Sequence, residues 1–388
     1  MRILAYTSPA RGHLYPITPA FVELRRRGHE VHVRTLASEV PALQALGLHA
    51  DRIASSIEAL PLDDWRARTP EEGLARGLHT FGERAVHEVP DLQRAIAEVD
   101  PDVLLVDITT AGAAAAAEAA SRPWARWIPF FVHYTLDPDV PVEVSHIPFA
   151  LSPAGMEVLN EPRRRLRLAP IGSEADVWRA PLHLYYTAEP FEVEGLVLPP
   201  SFRMVGPGIW EPPFDPPAWL EELDEPVVLV SVSSEYQLDD ALVAIALEAL
   251  RFEDACVVAT TVAHDPGKFE VPANARVERW LPHGALLRKA ACVVCHGGMG
   301  VTQKTLAAGV PVCAVPFGRD QMEVAARVEA VGAGTHLPPA HLDAPRLRAK
   351  VHEAIERKPG AQRVAAGFAR AGGAAAAADA VEQLHAGR

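Results

Sequence analysis

Short, unbroken apolar runs set at helix-length intervals constrain this chain most. Val227-Val228-Leu229-Val230-Ser231-Val232 is one, and Asp102-Val103-Leu104-Leu105-Val106-Asp107 is another. Runs this short, with no polar alternation, fit strands buried on both faces, and such strands belong to parallel sheets covered by helices. Ile3–Tyr6, Ala255–Thr260, Cys292–Cys295 and Val310–Pro316 read the same way. The first unit shows the full pattern. Ile3–Tyr6 leads into a turn-like Ser8-Pro9-Ala10-Arg11-Gly12-His13. Ile17, Ala20, Phe21 and Leu24 then recur at helical spacing, Gly28 stops the helix, and His29–Thr35 alternates as a strand. This is β-loop-α-β, the start of an α/β sheet.

Prolines and glycines crowd residues 199–226, a linker composition. The expected fold class is therefore α/β, with two Rossmann-like domains whose parallel sheets face each other across a cleft. The expected boundaries are 1–208 for the first domain, 209–225 for the Pro-rich linker and 226–371 for the second domain. An Ala-rich helix over 372–388 ends the chain and is expected to cross back to the first domain. A length of 388 residues suits two domains. The cleft between them is the expected ligand site.

A net charge of −13 argues against a nucleic-acid partner, which needs clustered Lys and Arg. The first apolar run is too short for a signal peptide, and no stretch has the length of a membrane span. Cys256, Cys292, Cys295 and Cys313 are too few for a disulfide framework in a chain this long. The expected compartment is the cytoplasm, without membrane insertion.

The sharpest segment is His296-Gly297-Gly298-Met299-Gly300, where a buried strand gives way to a helix. Glycines let a ligand approach the backbone, and the first N–H groups of a helix are unpaired and favour an anion such as a diphosphate. A tight strand–helix turn with no ligand reads equally well. Cys292-Val293-Val294-Cys295-His296 also matches the haem-attachment pattern. No export signal accompanies it, no second Cys/His pair sits at zinc spacing, and the cysteines lie on an apolar strand. No metal or cofactor is expected.

His13 follows the first strand, and Asp107 ends the strand Val103–Val106. Both should reach the C-terminal edge of the sheet, where open α/β folds bind ligands. Neutral imidazole suits a base near pH 7. A turn histidine and a helix-capping aspartate fit the same positions. Ser233 and Ser234 end the first strand of the second domain and are candidates for hydroxyl donors to a phosphate. Asp239 or Asp240 could cap the helix that follows. Phe130, Phe131, His133 and Tyr134 form an aromatic cluster that suits either an apolar pocket or a core.

Taken together, these segments resemble the GT-B glycosyltransferases that use nucleotide-activated sugars. His296-Gly297-Gly298-Met299-Gly300, Gly309-Val310-Pro311, Pro316 and Asp320-Gln321 follow that family's donor-binding pattern. Trp280-Leu281-Pro282 is similar to its Trp-x-Pro segment, and Gly12-His13-Leu14-Tyr15-Pro16 to its Gly-His-x-x-Pro loop. Within the family the chain looks most like bacterial enzymes that glycosylate natural products.

The resemblance implies roles. Trp280, with Leu281 beside it, stacks on the nucleobase, where a core tryptophan is the plainer reading. His296 contacts a donor phosphate, while Gly298, Met299 and Gly300 offer backbone N–H groups. Asp320 and Gln321 bind sugar hydroxyls. His13 is the base, and Asp107 orients it. The implied reaction is metal-independent transfer with inversion, from a nucleoside-diphosphate sugar to a lipophilic natural product. A dTDP-deoxyhexose is the expected donor from the resemblance, not from any residue. Met299, Val301 and Glu323 depart from the usual residues and bear on donor choice. A nucleotide-sugar epimerase and a silent nucleotide-sugar binder are the alternatives, and a homodimer is left open. An epimerase needs neither an acceptor base nor an apolar pocket.

Overall fold

The computed structural model describes residues 1–132, 152–193, 196–223 and 226–387. The first sheet holds strands β1 (Arg2–Tyr6), β2 (Glu30–Thr35), β3 (His49–Arg52), β4 (Val103–Asp107), β5 (Trp124–Ile128), β6 (Leu182–Tyr185) and β7 (Phe202–Met204). All pair in parallel, in the order β3-β2-β1-β4-β5-β6-β7. Helices α1 (Arg11–Arg26), α2 (Val40–Ala45), α3 (Ser55–Glu58), α4 (Pro70–Val99), α5 (Ala111–Ala119), α6 (Pro153–Arg165) and α7 (Glu174–Val177) belong to this half.

The second sheet holds β8 (Val227–Ser231), β9 (Cys256–Thr260), β10 (Ala275–Glu278), β11 (Ala290–Cys295), β12 (Val312–Ala314) and β13 (Gly334–His336), also all parallel. Its order is β10-β9-β8-β11-β12-β13. Helices α8 (Asp240–Leu250), α9 (His283–Leu287), α10 (Met299–Ala307), α11 (Gln321–Ala330), α12 (Ala344–Glu356) and α13 (Lys358–Arg370) accompany it, and α14 (Gly373–Ala386) ends the chain. Both orders reverse direction beside the first strand, at β1/β4 and β8/β11. Loops on either side of such a switch point splay apart and leave a crevice at the C-terminal edge.

The unbroken apolar runs are explained by burial on both faces. Ile3 and Ala5 pack with α1, whereas Leu4 and Tyr6 pack against Leu92 and Ala95 of α4. In the second sheet, Val228 and Val230 face Leu242 and Leu347, while Val227 and Leu229 face Leu306 and Val324.

Helix α14 returns to the first domain, in keeping with the GT-B fold that the resemblance implied. Ala377, Ala378 and Val381 are buried with Phe21 and Leu24 of α1. Arg27 pairs with Asp379 and Glu382 at 2.6 and 2.7 Å. The linker is held between the domains. At Gly208 a Cβ would lie 1.6 Å from the Pro16 carbonyl oxygen, so only glycine fits there. Trp210 packs edge-on against Tyr15 at 4.9 Å. Glu211 accepts from the His283 and Gly284 N–H groups at 2.7 and 3.1 Å and from Lys304 at 2.8 Å.

A buried ionic network also joins the halves. Arg327 of α11 pairs with Glu323 at 2.8 Å and with Glu192 of the first domain, and its guanidinium lies 3.9 Å from the centre of the Phe131 ring. Glu192 also accepts from the Tyr185 hydroxyl. Glu323 therefore has a use on its own helix, since it balances a buried cation. Buried charges persist only when paired in this way.

Candidate active site

His13 lies in the first turn of α1, which begins at Arg11, inside the segment that the sequence suggested was a turn. Ala10 supplies no capping side chain, so the helix starts without one. His13 Nδ1 lies 2.9 and 3.0 Å from the two Asp107 oxygens. Asp107 is fully buried at the end of β4. One of its oxygens accepts from Ser8 N–H and Oγ–H at 3.1 and 2.7 Å, the other from Thr109 N–H and Oγ1–H at 2.9 Å each. Burial alone would raise its pKa, but the His13 charge and these donors outweigh burial and hold the carboxyl at about 2.

His13 shows the complementary balance. Burial pushes its pKa down most strongly, yet the Asp107 charge and hydrogen bond, with Glu235 and Asp320 farther off, leave it above the usual 6.5. An ionised Asp107 fixes the Nδ1–H tautomer, so Nε2 carries the lone pair. Glu235 and Asp320 belong to the second domain, and the imidazole therefore feels both sides of the cleft.

Across the cleft, β11 ends at Cys295 and α10 begins at Met299. Gly298 is the N-cap, and no side chain caps this helix. Its first N–H groups have no partner within the helix. His296 is buried, and burial is the main cause that lowers its pKa, so the ring is neutral at pH 7. Its Nδ1 is buried with no partner at full hydrogen-bond geometry, although a Ser231 backbone group lies close enough to the ring to favour its charged form. A Cβ at Gly298 would fall 2.3 Å from His296 Nε2. Gly298→Ala should therefore displace this ring, cost about 1–3 kcal/mol of stability and weaken nucleotide binding. Thermal melts and titration with a nucleoside diphosphate check both effects; an unchanged affinity would show that the ring position is immaterial.

Ser233 is buried, and its Oγ accepts from Glu235 N–H at 3.1 Å and Gln237 Nε2–H at 2.8 Å, leaving its own proton to donate. Ser234 is exposed. Asp239 does not cap α8. It is fully buried, and its carboxylate instead takes the Ser233 N–H at 2.6 Å and His264 Nε2 at 2.9 Å. Trp280 is half-buried, with Phe214 edge-on at 5.0 Å, rather than a core tryptophan. Asp320 is half-buried, and burial raises its pKa.

Several expectations change. The side chains of Leu281 and Met299 are packed into the core, which leaves only their backbone groups to meet a ligand. Gln321 is buried. Its oxygen accepts from Phe317 and Gly318 N–H at 2.7 and 3.1 Å, and its nitrogen donates to Gln237 at 2.6 Å, which makes it first of all a loop brace. Phe131 is fully buried between Phe191 and Arg327, so it belongs to the core and lines no pocket. Phe130 is half-buried, with its ring 5.8 Å from that of His13. His133 and Tyr134 lie outside the described residues.

The haem-like pattern has no haem geometry. Cys292 and Cys295 are fully buried and lie on opposite faces of the sheet. Burial raises both thiols, Cys295 to about 11. The sequence reading missed Asp64, Trp65, Glu235, Gln237, His264 and Arg319. Trp65 packs on Tyr236 at 4.9 Å, and Arg319 bridges Asp64 and Glu235. Asp64 and Trp65 precede the α4 helix in a stretch without motif or periodicity.

Known proteins share this architecture. Residues 244–383 match the family model described as Erythromycin biosynthesis protein CIII-like, C-terminal domain. The 4'-demethylrebeccamycin synthase of Lentzea aerocolonigenes is 32% identical, over 92% of this chain and 92% of its own. NDP-glycosyltransferase YjiC of Bacillus licheniformis is 25% identical over 98% of this chain and 96% of its own. Among solved structures, the calicheamicin glycosyltransferase CalG4 has a TM-score of 0.79 at 22% identity, covering 100% of this chain and 98% of its own. The glycosyltransferase VinC, solved in complex with dTDP, has a TM-score of 0.76 at 23% identity over 100% of both chains. The two facing sheets are thus those of a GT-B glycosyltransferase. The chain belongs to the natural-product glycosyltransferase family that includes 4'-demethylrebeccamycin synthase. Among the described residues no helix is long and apolar enough to cross a membrane.

Proposed function

We propose that the enzyme transfers a sugar, with inversion and without a metal, from a nucleoside-diphosphate donor to a hydroxyl of a lipophilic natural product. The observation that carries this reading is His13, oriented by Asp107 on one side of the cleft and subject to the charge of Asp320 on the other. His13 Nε2 takes the acceptor hydroxyl proton. The acceptor oxygen forms its bond to the anomeric carbon as the carbon–oxygen bond to the diphosphate breaks, and the electron pair leaves with the phosphate. Asp107 stabilises the imidazolium. The N–H groups at the start of α10 and the Ser233 hydroxyl receive the growing phosphate charge. Attack from the His13 side, opposite the diphosphate, inverts the anomeric carbon.

Phe130 beside His13 is the described aromatic ring suited to the acceptor, and Trp280 the one suited to the nucleobase. The choice of a dTDP-deoxyhexose rests on the family and on the dTDP held by VinC. The test is a panel of dTDP- and UDP-sugars with lipophilic hydroxylated acceptors. It reads nucleoside diphosphate release and, by NMR, the anomeric configuration of the product. Acceptor-dependent release with inversion is expected. A retained configuration overturns the direct displacement, and sugar isomerisation without an acceptor favours an epimerase.

A further inference from the structure

Arg319 lies in the loop between β12 and α11, at the C-terminal edge of the second sheet. Its backbone is left-handed, with φ of 56°. A non-glycine residue adopts that conformation at a cost and keeps it only where its surroundings impose it. Those surroundings are visible. Gln321 braces Phe317 and Gly318 just before it. The same loop abuts the diphosphate cradle, since a Cβ at Gly297 would lie 3.1 Å from the Gln321 carbonyl oxygen. The strained turn thus sets a guanidinium beside the cradle.

The guanidinium is shared unequally. Nε and Nη2 form a fork on the two Asp64 oxygens at 2.7 and 2.8 Å, across the domain boundary. Nη1 alone reaches Glu235 at 2.9 Å. Glu235 follows Ser233 and Ser234 in the loop after β8, and its N–H binds Ser233 Oγ at 3.1 Å. A carboxylate thus sits at the rim of a site whose other groups suit an anion. The cradle itself brings no cation: Ser233, Ser234 and Met299 are uncharged, and His296 is neutral. Lys304, farther along α10, is tied to Glu211 at 2.8 Å. The charge of Arg319 reaches both His296 and Asp320.

We propose that Arg319 is a ligand of the donor diphosphate, held in position by the Asp64 fork, and that Glu235 occupies the guanidinium edge which a phosphate oxygen takes over. This rests on the nucleotide-sugar reading above and adds the residue that neutralises the diphosphate. Guanidinium matches phosphate geometry and stays charged throughout. The exchange couples donor binding to the domain boundary, because the same guanidinium holds Asp64.

The test is calorimetric titration of the full chain with dTDP and UDP, and with thymidine and uridine as probes that lack the diphosphate. Arg319→Ala should weaken nucleoside diphosphate binding roughly 10- to 100-fold, the loss of one charge-assisted hydrogen bond, and leave nucleoside binding unchanged. Glu235→Gln should change it in the opposite direction, because it removes both a competitor and a like charge. A simple interdomain clasp predicts the same sign for both variants. Equal diphosphate affinity in Arg319→Ala and wild type, or weaker binding in Glu235→Gln, overturns the proposal. If Arg319→Ala does not fold, the sign for Glu235→Gln decides. A wild-type chain that binds no nucleoside diphosphate overturns the donor reading itself, a distinct outcome.

Discussion

Replacing His13 with alanine is expected to lower the transfer rate roughly 10²- to 10⁴-fold, the usual share of a positioned base. Affinity for a nucleoside diphosphate should stay within about twofold, far below the tenfold that 1.4 kcal/mol would produce. The split follows from where the groups sit. His13 stands on α1 of the first domain, whereas the cradle, Ser233 and Trp280 stand on the second. The variant also leaves Asp107 without its partner. The carboxylate keeps four other donors, from Ser8 and Thr109, so it remains satisfied and the fold should persist. Single-turnover kinetics and titration of the same preparation check both halves. Near-normal turnover would remove His13 from the role, and lost nucleotide affinity would show that the domains are not independent.

The motifs at the two switch points were legible because glycine and strand-end chemistry leave a local signature. Asp107 could be placed at a sheet edge because four apolar residues precede it. Strand β5 could not be seen the same way. Trp124-Ala125-Arg126-Trp127-Ile128 carries an arginine, yet Arg126 is buried. Its guanidinium donates to the Ile108 and Val177 carbonyls at 2.6 and 3.2 Å, and burial lowers it to about 10. Tertiary partners made a polar residue compatible with a buried strand, and no periodicity reveals partners. Phe131 failed for a related reason. Composition marks an aromatic residue as suited to a pocket or a core, and only partners distant in sequence, Phe191 and Arg327, decide for the core. Arg319 and Asp64 were invisible because their pairing spans 255 residues.

Asp107→Asn is expected to cost roughly 10³- to 10⁴-fold in kcat, as the loss of an imidazole's orienting carboxylate does elsewhere. It should also move the pH profile in a direction that mere structural damage would not. In the wild-type enzyme Asp107 raises the pKa of His13 above 6.5, so the base form is lost as pH falls through a value on the neutral side. In the variant that contribution disappears while burial, which lowers the pKa, remains. The acidic limb of the rate profile therefore shifts to lower pH even as the plateau falls. Stability carries its own sign. The raised His13 pKa contributes fully below 6.5 and its contribution is lost as pH rises through the folded value. The depressed Asp107 pKa contributes above 3.8 and its contribution is lost as pH falls through about 2. The variant should be most destabilised between those limits. An asparagine amide must also turn an N–H toward Ser8 or Thr109, both donors, which costs about 1–3 kcal/mol more. Rate profiles and melting temperatures from about pH 2 to about pH 9, which bracket the window in which the pair titrates, check both expectations. An acidic limb that stays in place would show that Asp107 positions His13 without setting its charge.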